Sequence, residues 1–188
     1  MPSPLAHALA GFTTHILTAP ADELGSRRRT LVTVGAALAP DLDFTWKLVD
    51  GVNHHQAQGH SVGVGLGVAV AVAAVASLAG VPRAAGLGLA ALLGWCSHIV
   101  LDLLNVDTSP PIGLMALWPL TDGYYKSPVA VFLDIGRTLN WRTVRHDAIA
   151  IAWELALLCP VLVAAWRMRT RRRSGAWDGA RFREQISG

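Results

Sequence analysis

Apolar residues in this chain run in long blocks, without the three- and four-residue interruptions of a helix that faces water. Residues 61–81 (SVGVGLGVAVAVAAVASLAGV) form one such block and 84–104 (AAGLGLAALLGWCSHIVLDLL) a second. Residues 148–166 form a third, broken only by Glu154 and Pro160. Each is close to the roughly 20 residues that a helix needs to cross a bilayer. Pro82 separates the first two and predicts a tight helical hairpin. Two shorter apolar segments precede them, at 5–19 and 31–46. As helices these would be about 22–24 Å long, short of a hydrocarbon core of roughly 30 Å. A polar stretch from 105 to 147, rich in Pro, Asp and Trp, predicts an ordered loop with one short helix near 127–139. The expected fold is an all-α integral membrane bundle of about five helices, three full spans and two short ones. Residues 1–166 would form one membrane-embedded domain, with 167–188 a basic, flexible cytoplasmic tail.

Composition agrees with the pattern. Hydrophobic residues make up 52% of the 188 and charged ones 15%, against about 25% charged in ordinary soluble domains. The first basic residue is Arg27, so no positively charged segment precedes the first apolar run and a cleaved signal peptide is not expected. Cys96 and Cys159 both lie in apolar runs and suggest packing residues, not a disulfide framework.

Charge changes the picture more. Arg27–Arg29, Arg83 and seven arginines between Arg167 and Arg183 account for eleven of the sixteen Lys and Arg. If all five helices cross in alternation, these fall at one end of the bundle, and the positive-inside rule makes that end cytoplasmic. A basic tail after an apolar helix is a topology signal before it is a nucleic-acid patch. Little soluble surface remains for nucleic acid, so none is expected as a partner.

The ionisable residues that do not fit an apolar helix collect in clusters. His7 lies early in the first segment, Asp41 and Asp43 follow a proline in APDLDF, His54, His55 and His60 lie in NHHQAQGHS, and His98 and Asp102 share a helix face. In a hairpin turning at Pro82, Asp102 is level with about residue 63 and so lies beside His60. Alternate crossing then brings His7, Asp41, Asp43, His55, His60, His98 and Asp102 to the end opposite the arginines. His15 is about 12 Å deeper than His7 and reads as a structural hydrogen-bonding residue. Glu154, His146 and Asp147 could support ligands or serve local structure. Small residues suggest close helix approach, with Gly63 and Gly67 as a GxxxG and Gly86, Ala90 and Gly94 as a second ridge.

Imidazole and carboxylate together suit zinc, with manganese or iron as alternatives. Seven candidate ligands exceed the four of one tetrahedral zinc, which suggests two ions bridged by carboxylate. HALAG near the start, GAALAPDLD, the His55–His60–Ser61 block, HIVLDLL, Gly113 and LWPL together resemble the YdjM-type membrane-bound metal-dependent hydrolases, over about residues 1–125. That resemblance implies metal ligation by the seven residues named and likeness to the helices of zinc phospholipase C. It implies a hydrolase, expected to cleave a phosphoester with a metal-activated water and His60 or His55 as acid or base. The site's place near the membrane surface suggests a lipid or lipid-linked substrate, and the positive-inside rule puts the site at the extracytoplasmic face of the inner membrane. The His55–Ser61 block departs from the pattern: Gln56 stands where the family usually has arginine, and Gly59 where it usually has threonine.

Two other readings compete. A non-enzymatic metal-binding protein or transporter would also carry His and Asp among membrane helices. GHSVG (59–63) matches the serine-hydrolase elbow, but that elbow needs a strand before it, and DGVNHHQAQ is polar.

Overall fold

The computed structural model describes residues 1–45, 49, 51, 56–108, 110–136 and 138–187, the side chains of Phe44 and of 172–187 excepted. Among these are five α-helices: α1 (Pro4–Thr18), α2 (Arg27–Leu38), α3 (Val62–Leu78), α4 (Ala84–Leu103) and α5 (Trp141–Ser187). Short 3-10 turns occupy Ala39–Thr45 and Gln58–His60. No strand is present among the described residues, only two isolated bridges, Asn105 with Phe132 and Leu114 with Tyr125. The all-helical expectation holds.

Two helices are long and apolar enough to span a bilayer, not the three expected. They are Ala84–Leu103, with a mean hydropathy of 1.7, and Trp141–Arg171, with 2.2. Residues 61–81 are equally apolar, but both ends of the helix are cut back. The Ser61 hydroxyl caps the start by accepting from the Val64 N–H at 3.1 Å. Gly80 takes a left-handed φ of 65°, and the Val81 N–H returns to the Ala76 carbonyl at 2.8 Å, which closes the other end. Seventeen helical residues remain.

The first two helices are also capped by serine. Ser3 accepts from the Ala6 N–H ahead of Pro4, and Ser26 accepts from the Arg29 N–H. α1 and α2 then form an antiparallel pair in which Gly11 faces Ala37. α4 is the centre of the bundle and packs on α1, α2 and α3. α5 lies along α1 and runs parallel to it: Glu154 meets Ser3 at one end and Arg169 donates to the Ala19 carbonyl at the other. Only 17% of the apolar window of α5 is buried against the protein, so most of its surface needs an apolar surrounding.

The α3–α4 contact uses glycines other than those the ridge pattern selected. Gly65 and Gly88 carry the α3–α4 contact, against Trp95 and the Ala69 carbonyl respectively. Gly67 has nothing within 4 Å, Gly63 faces the loop at Trp118, and Gly94 packs on Thr33 of α2. The small-residue spacing picks out Gly94, which a neighbouring helix meets, and equally Gly67, which faces open space.

Residues 127–139 form no helix among those described. Phe132 is buried in a bridge to Asn105, with the Val106 N–H donating to the Phe132 carbonyl at 2.9 Å, and Pro128 and Gly136 break any helical run. Leu114, Met115 and Ala116 in the same loop are buried, and Leu114 and Ala116 pack with Trp95 and Ile99. The loop thereby closes over one end of α3 and α4.

Candidate metal centre

Four segments bring ligand-type side chains to that closed end. His7 lies one turn into α1. Asp41 follows α2 in the 3-10 turn, where Pro40 ends the helix. His60 immediately precedes the cap of α3. His98 and Asp102 occupy successive turns at the end of α4. The side chains of His7, His60, His98 and Asp102 are fully buried, and that of Asp41 is 15% exposed. The hairpin expectation is met, with Nε2 of His60 3.4 Å from Oδ2 of Asp102.

The distances describe a common focus. His98 Nε2 lies 3.0 Å from Asp102 Oδ2 and 3.7 Å from Asp41 Oδ1. His7 Nε2 is 3.5 Å from Asp102 Oδ1. His60 Nε2 is 3.7 Å from Asp41 Oδ1. The His7 and His98 rings stack at 3.8 Å, and His60 stands edge-on to His98 at 5.0 Å. Two donor groups of metal-binding spacing result, His7–His98–Asp102 and Asp41–His60–His98. They share His98, whose one free nitrogen serves one ion, so the described donors form a single connected set. Asp102 offers one oxygen towards His7 and the other towards His60 and His98.

Hydrogen bonds set the ring orientations. His98 Nδ1 lies 2.9 Å from the Ala37 carbonyl. A carbonyl only accepts, so Nδ1 carries the hydrogen and Nε2 presents its lone pair inward. Asp43 stands 3.0 Å from Nδ1 of His60, on the opposite ring edge from Asp41 and Asp102. A carboxylate behind a ligating imidazole is the usual support of such a ligand. Trp95 shares a face of α4 with His98 and Asp102, and its indole donates to the Ser61 carbonyl at 3.0 Å, which holds the His60–Ser61 corner. The i, i+3, i+7 spacing of 95, 98 and 102 carried that signal. The part played by the Ala37 carbonyl left no trace in residue identities.

The residues present suit a cation. Both oxygens of Asp41 and of Asp102, both nitrogens of His7 and Nε2 of His98 are buried with no aligned hydrogen-bond partner. Buried polar atoms are nearly always satisfied, so a convergent group of orphaned lone pairs is a donor set that fits a cation. Electrostatics agree. Burial alone would push the pKa of His60 down, yet Asp41, Asp43 and Asp102 raise it to about 9. The pocket favours positive charge.

His54 and His55 lie outside the described residues, as does Trp46. His15 is away from the cluster, its Nε2 3.0 Å from the Leu24 carbonyl and 3.1 Å from the Thr30 hydroxyl. Glu154 accepts from the backbone and hydroxyl of Ser3 and so ties α5 to the start of α1. His146 meets Asp134, and Asp147 accepts from the Gly136 N–H at 2.8 Å. Both pin the loop to α5.

The model of the YdjM inner membrane protein family matches residues 1–174. The chain belongs to that family. No curated protein and no solved structure matches it. The match runs well beyond the 125 residues that carry the resemblance and includes α5 as far as its basic end.

Ser61 does not have the setting of a nucleophile. It is fully buried, its hydroxyl caps α3, and a 3-10 turn rather than a strand precedes it. Ser61→Ala is expected to leave metal content unchanged and to lower stability by about 1 kcal/mol, the usual cost of a lost cap. Thermal unfolding in detergent, with metal analysis of the same sample, checks both.

Proposed function

We propose that this YdjM-family chain is a membrane-bound metal-dependent hydrolase acting on a phosphoester of a lipid or lipid-linked substrate. The observation that carries the reading is the convergence of buried, hydrogen-bond-orphaned donors from His7, Asp41, His98 and Asp102 beside His60. Zinc is the cation these imidazoles and carboxylates suit best, manganese and iron being next. His7, His60, His98, Asp41 and Asp102 would hold it. Asp43 keeps the His60 ring turned inward, and the Ala37 carbonyl does the same for His98. A bound divalent cation supplies Lewis acidity, which activates water and steadies the charge that develops on a phosphoester. The buried imidazoles exclude bulk water, and Asp41, whose side chain alone among the described donors is partly exposed, marks the side from which substrate reaches the centre.

Gln56 is buried, and its backbone carbonyl accepts from the Met115 N–H at 3.0 Å. It is neutral where the family usually carries arginine, so the negative charge of a phosphoester must be met chiefly by the metal. An ion pathway would need exchangeable ligands deep in the bundle. His15, the deep candidate, is instead engaged by the Leu24 carbonyl and Thr30, which favours a hydrolase over a transporter.

The decisive assay uses full-length protein in nanodiscs with a chromogenic phosphodiester and a phospholipid. Hydrolysis should disappear with EDTA, return with zinc and resist a fluorophosphonate. Undiminished hydrolysis after metal removal would refute the reading. We also propose that the metal end is extracytoplasmic and the arginine end cytoplasmic, by the positive-inside rule. A reporter fused to the C-terminus should read cytoplasmic; an extracytoplasmic signal reverses the assignment.

A further inference from the structure

The arginine end of the bundle holds a feature that the metal centre does not use. α2 and α3 both pack on α4 but hardly touch one another. The furrow between them has a volume of about 410 Å³, within the range of small-molecule sites. Its walls are apolar, with Val32 from α2, Val72, Val75 and Ala76 from α3 and Leu87 from α4 as the floor. Arg28 stands over one end. From Ala79 back to Ala71 the furrow follows α3 for about 12 Å, from the arginine end towards the middle of the helix.

The arginines at this end divide into two kinds. Arg29 is buried and donates to the Gly86 carbonyl at 2.9 Å and to Glu23 at 3.2 Å. Arg83 pairs with Asp22 at 2.5 Å and with Glu23 at 3.3 Å. Their charges are used in fastening the α1–α2 loop to the α3–α4 turn. Arg27 and Arg28 are exposed in the first turn of α2, and neither has an ionic or hydrogen-bonded partner among the described residues.

We propose that this furrow is a binding site for one anionic phospholipid, with its phosphate at Arg28 and one acyl chain lying along α3. Three observations meet in that occupant. The groove is apolar along its length and has the exposed Arg28 at its arginine end, which is the polarity of a phospholipid. It runs along the helix axis, as an acyl chain does in a bilayer. Among the described residues, the cation at its mouth has no acidic partner. A helix from a second copy would fill the apolar part but leave Arg28 without an anion. The site lies at the opposite end from the metal centre and is independent of any reaction there.

The test is native mass spectrometry of delipidated full-length protein titrated with phosphatidylglycerol and, separately, phosphatidylcholine. One arginine beside an anionic headgroup shifts binding about five-fold, so phosphatidylglycerol should bind about five-fold more tightly. Arg28→Gln, an exposed substitution, should reduce that preference to near unity while metal content stays unchanged. Arg27→Gln, beside the groove but not lining it, should largely keep the preference. Val75→Trp, which fills the furrow from an exposed position, should weaken both lipids. Equal affinity for the two lipids in the unaltered protein overturns the proposal. Equal losses in Arg27→Gln and Arg28→Gln overturn it too, because they would show a general surface charge effect. A dimer that Val75→Trp dissociates, with lipid retention unaffected, assigns the furrow to a second copy and also overturns it.

Discussion

Asp102→Ala should abolish stable metal binding. Asp102 is the donor that reaches furthest across the site, with Oδ1 3.5 Å from His7 Nε2 and Oδ2 3.0 and 3.4 Å from the Nε2 atoms of His98 and His60. Its removal takes away both a ligand and one of three carboxylates that make the pocket attract a cation. Support residues behind a ligand typically contribute about 10–100-fold in metal affinity, so losing a central ligand should exceed that. His98→Ala should behave alike, because both donor groups depend on the one Nε2. Asp43→Asn is the informative contrast. It keeps a hydrogen-bond acceptor near Nδ1 of His60 but loses the charge, and should fall within about 10–100-fold. Elemental analysis after dialysis, with chelator competition for the affinities, separates the three. Full metal occupancy in Asp102→Ala would end the metal reading, and an Asp43→Asn loss as deep as that of Asp102→Ala would make Asp43 a direct ligand.

Much of this centre could be read from the chain because hairpin geometry converts sequence distance into height. Counting outward from Pro82 places His60 beside Asp102, and alternate crossing brings in His7 and Asp41. The division of labour between Asp41 and Asp43 could not be read in this way. The two residues are two apart in a 3-10 turn, and only the turn's geometry sends one to the Nε2 atoms and the other to Nδ1. Hydropathy overstated α3, since it records how apolar 61–81 is but not that Ser61 and Gly80 end the helix inside that run. The short helix expected near 127–139 does not form either, because one buried side chain, Phe132, and its backbone bridge to Asn105 fix an extended path. Glycine spacing was the weakest guide. It is periodic whether a glycine faces a neighbouring helix, as Gly94 does, or open space, as Gly67 does.

That difference yields the second large effect. Gly94→Ala should loosen both the bundle and the metal centre, although residue 94 supplies no donor to the site. A Cβ at this position would collide with the carbonyl of Thr33 and meet its carbonyl carbon at 3.0 Å and Ala36 Cβ at 3.3 Å. The obstacle is backbone, so no side chain can rotate away. Thr33 cannot easily yield either, since its hydroxyl donates to the Arg29 carbonyl at 2.9 Å and it is fully buried. α2 would have to move off α4, at a cost of about 1–3 kcal/mol, as for other overpacked cores. One turn further along α2, the Ala37 carbonyl fixes the tautomer of His98 at 2.9 Å, so displacement of α2 releases the ring that both donor groups share. Metal affinity should therefore fall together with thermal stability. Gly67→Ala is the matched control: nothing lies within 4 Å, and relief of glycine's backbone entropy should leave stability unchanged or raise it by about 0.4–1 kcal/mol. Unfolding and metal titration of the two variants test the coupling directly. A Gly94→Ala protein that unfolds like the unaltered chain and binds metal as tightly would mean that α2 does not set the position of His98.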